Sequence, residues 1–119
     1  MMLYVTNAFS INMLPQTNFC VVNFHKLTTE EARQCLSRHP FRSYIGHPDI
    51  ANIASQLLGV QLEVNRETLT LQEDDFVLVI QYRGPRLPEG ATQLPEGAQV
   101  EFWFVDIYYV EKPEGGDIQ

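Results

Sequence analysis

Apolar residues fall in short runs along the chain, and the spacing within each run changes from one region to the next. Met2 to Val5 is a compact apolar run that predicts a first strand. Phe19 to Phe24, rich in aromatic and β-branched residues, predicts a second. Thr28-Thr29-Glu30-Glu31 has the spacing of a capping box, with Thr28 at the N-cap and Glu31 at N3. The helix it opens is expected to run to Ser37, with Pro40 marking its end. After a loop from Arg38 to Gly46, Ile50, Ile53, Ala54, Leu57 and Leu58 recur at i, i+3, i+4, i+7 and i+8, the period of an amphipathic helix. Pro48 suits its first position and Gly59 its C′ position, so His47 falls at the helix mouth.

Beyond Gly59 the period drops to two. Val60 to Val64 alternates, Asn65-Arg66 can turn, and Thr68 to Leu71 is expected to pair back as a hairpin. Phe76 to Ile80 is a continuous apolar run, the pattern of a central strand covered on both faces. Gly84 to Ala98 is a Pro/Gly-rich loop in which Leu-Pro-Glu-Gly occurs at 87–90 and again at 94–97, too few copies for a solenoid. Val100 to Val110 reads as a long aromatic strand, and 111–119 as a polar C-terminal tail. The implied class is α/β (α+β): one domain over 1–110, a mixed β-sheet of about five or six strands flanked by two helices.

Length and composition narrow the role more than the fold. The chain has 119 residues, enough for one ordinary domain, and its 45% hydrophobic content supports a real core. No apolar run approaches the roughly 18 residues of a membrane helix, and the start lacks the basic and small-residue features of a secretory signal. A cytoplasmic protein is expected. Fifteen acids against eight bases give a net charge of −7, which disfavours long duplex nucleic acid as a partner. The charge is uneven: residues 1–62 carry three acids and four bases, while 63–119 carry twelve acids and four bases. A small anion can still find a locally positive pocket. Cys20 and Cys35 form no CxxC pair and are expected as buried, reduced thiols. His25, His39 and His47 have no ligand spacing, so no metal site is expected.

No Walker loop, G-x-G-x-x-G or G-x-S-x-G motif is present. The informative positions are polar residues that interrupt apolar segments. Asn7, Ser10 and Asn12 follow the first strand, His47 precedes a helix, Gln81 ends the most apolar strand, and Arg83, Arg86 and Glu89 lie just beyond it. Strand-end loops beside a helix N-terminus suit an anion, because free N–H groups and the helix dipole both favour negative charge. Each position also has an ordinary role. Asn and Ser after a strand serve as turn residues, a histidine before proline can cap the helix, and Arg86 can simply pair with Glu89.

The stretch Thr6-Asn7-Ala8-Phe9-Ser10-Ile11-Asn12-Met13-Leu14 resembles the N-terminal signature of the viral ring nucleases, the type III anti-CRISPR proteins. Ser43-Tyr44-Ile45-Gly46-His47 resembles that family's Ile-Gly-His block, Asn65-Arg66 the next, and Gln81 through Arg86-Leu87-x-Glu89-Gly90 the last. The resemblance implies a homodimer that binds cyclic tetra-adenylate, the second messenger of type III CRISPR defence. It implies cleavage without metal or cofactor to linear adenylates ending in a 2′,3′-cyclic phosphate. By position, His47, Arg86 and Glu89 would be catalytic, and Asn7, Ser10, Asn12, Arg66 and Gln81 would bind the ligand. Members of that family carry an added helix after the Arg-x-x-Glu-Gly block, whereas here only Ala91 to Gln99 intervenes, which implies a reduced lid.

The chemistry is coherent by itself. An RNA-type phosphodiester carries its own nucleophile, the adjacent 2′-OH, so the protein must align it, stabilise the phosphorane and protonate the leaving oxygen. Two other classes compete: a sponge or sensor that binds the ring without cutting, and a dimeric nucleic-acid-binding regulator.

Overall fold

The computed structural model describes residues 2–15 and 19–108. Five strands, β1 (Leu3–Thr6), β2 (Val21–Leu27), β3 (Phe41–Ser43), β4 (Phe76–Arg83) and β5 (Gln99–Tyr108), form one sheet in the order β2-β5-β4-β1-β3. β1 runs parallel to both β3 and β4, while β5 runs antiparallel to β4 and β2, so the sheet is mixed. Two helices, α1 (Thr29–Arg38) and α2 (Pro48–Leu58), complete a single α+β domain, as the apolar periodicities predict. No helix among the described residues is long and apolar enough to cross a membrane.

Local signals set the element boundaries. The Thr28 hydroxyl accepts from the Glu31 amide at 3.1 Å, and the Glu31 carboxylate accepts from the Thr28 amide at 2.8 Å, closing the expected capping box. α2 begins at Pro48 and ends on Gly59, whose φ of 68° is the left-handed conformation that closes a helix. Val77 to Ile80 are all buried, because β4 is covered on both faces. One face packs Leu78, Ile80 and Phe102 against Ala32, Leu36, Ile50, Ala54 and Leu58 of the helices. The other packs Val77, Val79, Val105 and Ile107 under Met13, Leu14, Leu69 and Leu71.

Four expectations are corrected. The loop read over Arg38 to Gly46 contains β3, a three-residue strand too short to leave a periodic signature. The hairpin expected over Val60–Leu71 does not form. The alternation there is real, but it serves long-range packing: Leu62 enters the helix-side core while Leu69 and Leu71 enter the opposite one. The segment is stitched to distant chain instead, with Val64 bridging Ile45 and the Leu71 amide donating to the Met13 carbonyl at 2.7 Å. Asn65 still makes a local turn, its side chain accepting from the Glu67 amide at 3.0 Å. Finally, Cys20 and Cys35 are free but only partly buried, and burial pushes the Cys35 thiol up. The second strand also starts later than expected, at Val21, and the expected tail 111–119 lies outside the described residues.

Candidate functional site

Three parallel strands, β4, β1 and β3, end at the same edge of the sheet, and α2 starts there. That edge is where α/β sheets commonly hold ligands, since loops diverge and a helix N-terminus points at the gap. Here it opens into a cleft of about 1290 Å³ lined by Asn7, His47, Arg66, Gln81, Arg86 and Glu89 among others. Six of the eight residues to which the resemblance assigns a role therefore converge on one cavity.

Side-chain to backbone bonds fix the rim. The Gly46 peptide is clamped between two of the candidates: its N–H donates to Asn7 Oδ1 and its carbonyl accepts from Arg66 Nε, both at 3.0 Å. Asn7 thus bonds across the site and not to its own turn. The Thr6 hydroxyl donates to the Ala8 carbonyl at 3.0 Å and to the Tyr44 carbonyl at 3.4 Å, which ties the loop after β1 to the strand beside it. Arg66 spends only Nε on the clamp, leaving its terminal nitrogens for a ligand.

His47 is the N-cap of α2. Its Nδ1 accepts from the amides of Asp49 at 3.2 Å and Ile50 at 3.3 Å. An Nδ1 that accepts carries no proton, so the ring holds its proton on Nε2. The capping role and the cleft-lining role coincide in one side chain.

The loop that follows β4 is built from two turns of like sequence. The Ala91 amide donates to the Pro88 carbonyl at 3.1 Å and the Ala98 amide to the Pro95 carbonyl at 3.0 Å. Gly90 and Gly97 have φ of 78° and 80°, the positive value a type II turn needs at that position. The first turn places Glu89 at its corner, facing the cleft. No helix forms between Gly84 and Ala98, in keeping with a reduced lid. Among the described residues, neither Arg86 nor Glu89 makes a hydrogen bond or an ion pair, so the alternative of a simple Arg86–Glu89 pair is not met.

Ser10 and Asn12 are not part of the main cleft. They line a smaller depression of about 290 Å³ on the other side of Arg66, which borders both cavities. Ser10 sits at the N-cap of a single 3₁₀ turn, Ile11–Met13, without a side-chain capping bond. Gln81 donates from Nε2 to the Tyr82 carbonyl at 3.0 Å, and it also borders an aromatic pocket formed by Phe9, Phe24 and Trp103. Sequence reasoning passed over Asp49, Asn52 and Tyr82, which also line the cleft. Their signal was available: Asp49 and Asn52 lie three apart on the polar face of α2. Among the described residues, no group of three His, Cys, Asp or Glu side chains gathers closely enough to hold a metal ion.

Fold and site together define a small α+β domain whose polar cleft, rimmed by two arginines, lies at the carboxyl ends of parallel strands. The chain belongs to the STIV B116-like family, whose model matches residues 3–104. The solved structure of B116 of Sulfolobus turreted icosahedral virus is similar, with a TM-score of 0.76 and 29% identity, covering 89% of this chain and 99% of that one. Uncharacterized protein 26 of Sulfolobus islandicus filamentous virus (isolate Iceland/Hveragerdi) is 32% identical over 89 residues, which is 75% of this chain and 74% of the relative. Uncharacterized protein ORF117 of Acidianus two-tailed virus is 33% identical over 89 residues, 73% of this chain and 74% of the relative.

Proposed function

We propose that this protein is a metal-independent ring nuclease that binds cyclic tetra-adenylate and cleaves it to linear adenylates with 2′,3′-cyclic phosphate ends. The supporting observation is the convergence of Asn7, His47, Arg66, Gln81, Arg86 and Glu89, from four separate stretches of chain, on one cleft. The virus-protein relatives and the signature at Thr6–Leu14 fit an anti-CRISPR or signal-terminating role in the host cytoplasm, where the messenger is made.

In this reading the ring's 2′ oxygen attacks the adjacent phosphorus, the P–O2′ bond forms and the P–O5′ bond breaks. Glu89 takes the 2′-OH proton, and His47, once its Nδ1 has left the cap and taken a second proton, donates the Nε2 proton to the departing 5′ oxygen and returns to neutral imidazole. Arg86, unpaired among the described residues, meets the charge that builds on the phosphorane. Arg66, Asn7 and Gln81 hold the phosphate and sugar so that attack is in line. Ser10 and Asn12, beyond Arg66, contact the ring at its rim.

The ring's rotational symmetry suits a homodimer with two such clefts. Exposed Val21, Phe24 and Tyr108 on and beside the β2 edge offer apolar surface for that contact.

One observation favours a second reading. A proton on both nitrogens of His47 would set Nδ1–H against the Asp49 and Ile50 amides, so the imidazolium forms only as the ring leaves its cap. A protein that keeps the cap closed would hold the ring without cutting it. The nucleic-acid regulator has less support, because the chain carries net charge −7. Incubation with cyclic tetra-adenylate in EDTA, followed by chromatography, separates the cases. Linear adenylates with cyclic phosphate ends are expected. An intact, tightly bound ring would favour the sponge, and no binding would overturn the reading.

A further inference from the structure

The cleft has two chemically different walls. Arg66 and Arg86 supply positive charge without a carboxylate partner among the described residues. Different in character are the first two turns of α2, where Asp49 and Asn52 line the same cavity. Spaced i, i+3, they share one face of the helix. Leu87 and Pro88 add apolar surface to the same cavity. An apolar surface edged by neutral polar groups suits a heterocyclic base, just as the arginines suit phosphates.

Asn52 is exposed, and among the described residues its carboxamide makes no hydrogen bond. A carboxamide offers one acceptor and two donors side by side. Adenine presents an N6 amino donor beside an N7 acceptor, and this complementarity is what asparagine uses to read adenine elsewhere. We infer that Asn52 is the specificity-determining residue of the cleft, reading the N6/N7 edge of an adenine base. The inference rests on the ring-binding reading above and adds to it the group that chooses the base.

The test uses two rings, cyclic tetra-adenylate and cyclic tetra-inosinate. Inosine replaces the N6 donor by an O6 acceptor and leaves the phosphates and sugars unchanged. Affinities of both rings are measured for wild type and Asn52→Ala, with melting temperatures as the fold control. Alanine at an exposed helix position favours helix, so the variant is expected to fold as well as wild type. Wild type is expected to prefer the adenylate ring by about tenfold or more, the usual discrimination of a bidentate base contact. Asn52→Ala is expected to bind both rings within about threefold of each other, having lost affinity for the adenylate ring alone. A role limited to helix structure would not move this ratio. If wild type binds the adenylate ring and Asn52→Ala keeps the full preference, the assignment of Asn52 is overturned while ring binding stands. If wild type shows no preference, base reading by Asn52 is likewise overturned. If wild type binds neither ring, the ring-binding reading falls and this inference falls with it.

Discussion

Arg83 and Arg86 stand three residues apart at the exit of β4, and their surroundings differ completely. Arg83 Nε donates to Glu101 Oε1 at 3.0 Å, and that carboxylate also faces Lys26 Nζ at 3.5 Å and accepts from the Trp103 indole at 3.1 Å. Lys26 in turn lies 5.9 Å from the centre of the Trp103 ring. Charges on this part of the sheet are satisfied by one another. Among the described residues Arg86, past the turn at Gly84, has no such partner, and neither does Glu89. The Tyr82 hydroxyl donates to the Pro85 carbonyl at 2.5 Å and so ties down the loop between them. An exposed cluster of paired charges adds little to stability, and its cations are already drawn to a shared carboxylate. A cation held in a concave site without a counterion is left to meet a ligand. Residue type alone does not distinguish the two arginines; the register of β4 against β5 does, since it sets Arg83 opposite Gln99 and Gln81 opposite Glu101.

The sharpest way to break this contrast is at His47, where one side chain both caps a helix and faces the cleft. His47→Ala is expected to slow single-turnover cleavage about 10²–10⁴-fold. It should also cost about 1 kcal/mol of stability through the lost N-cap. His47→Asn keeps a capping oxygen and removes the proton carrier, so it should lose the same rate at nearly wild-type stability. Rates and thermal unfolding of the two variants check this. Asn restoring the rate would mean that the histidine acts only as a cap.

Next in size is the pair of arginines. Arg86→Ala should weaken ring binding and slow cleavage, each by roughly tenfold to a hundredfold, as expected for a charge-assisted contact to phosphate. Arg83→Ala should leave both within about threefold, because its charge is already engaged with Glu101. Equal losses from the two would erase the distinction drawn here.

Gly84 is the hinge that separates them. Its φ is 154°, and a Cβ there would lie 2.8 Å from the Ala98 Cβ and 2.9 Å from the Ala98 Cα. Gly84→Ala is expected to destabilise the fold by about 1–3 kcal/mol, read by denaturant unfolding. It should also weaken ring binding by displacing Arg86.

The smallest effect concerns the paired cluster. Hydrogen bonds from Trp103, and then from Arg83, hold the Glu101 carboxyl below its ordinary range. A carboxyl with a lowered folded value stabilises the fold above the unfolded value, and that contribution fades as pH falls through the folded one. Melting temperature of Glu101→Gln should therefore fall less than that of wild type between neutral pH and about pH 3. Parallel curves would remove the cluster's contribution.

Much of the fold was legible because its signals are local. Thr28 with Glu31, Pro48 with Gly59 and the buried run Val77–Ile80 each specify an element within a few residues. Phe41–Ser43 and the course of Val60–Leu71 were not, since both depend on strands and loops far along the chain. The candidate site was legible as a set of residue types at strand ends. Its division was not: Arg66 separates Ser10 and Asn12 from the main cleft, and only the packing of the loop after β1 determines that. Asp49 and Asn52 were passed over because a polar helix face normally means solvent, and only the cleft opposite gives them another meaning.

The central claim is that the cleft around His47 and Arg86 both holds cyclic tetra-adenylate and cuts it. The most direct test pairs ring affinity with single-turnover rate, in EDTA, for wild type and His47→Asn. The account predicts that the variant binds the ring within a few-fold of wild type while its rate falls about 10²-fold or more. A variant that cuts at the wild-type rate, or a wild type that binds the ring and leaves it intact, would contradict it.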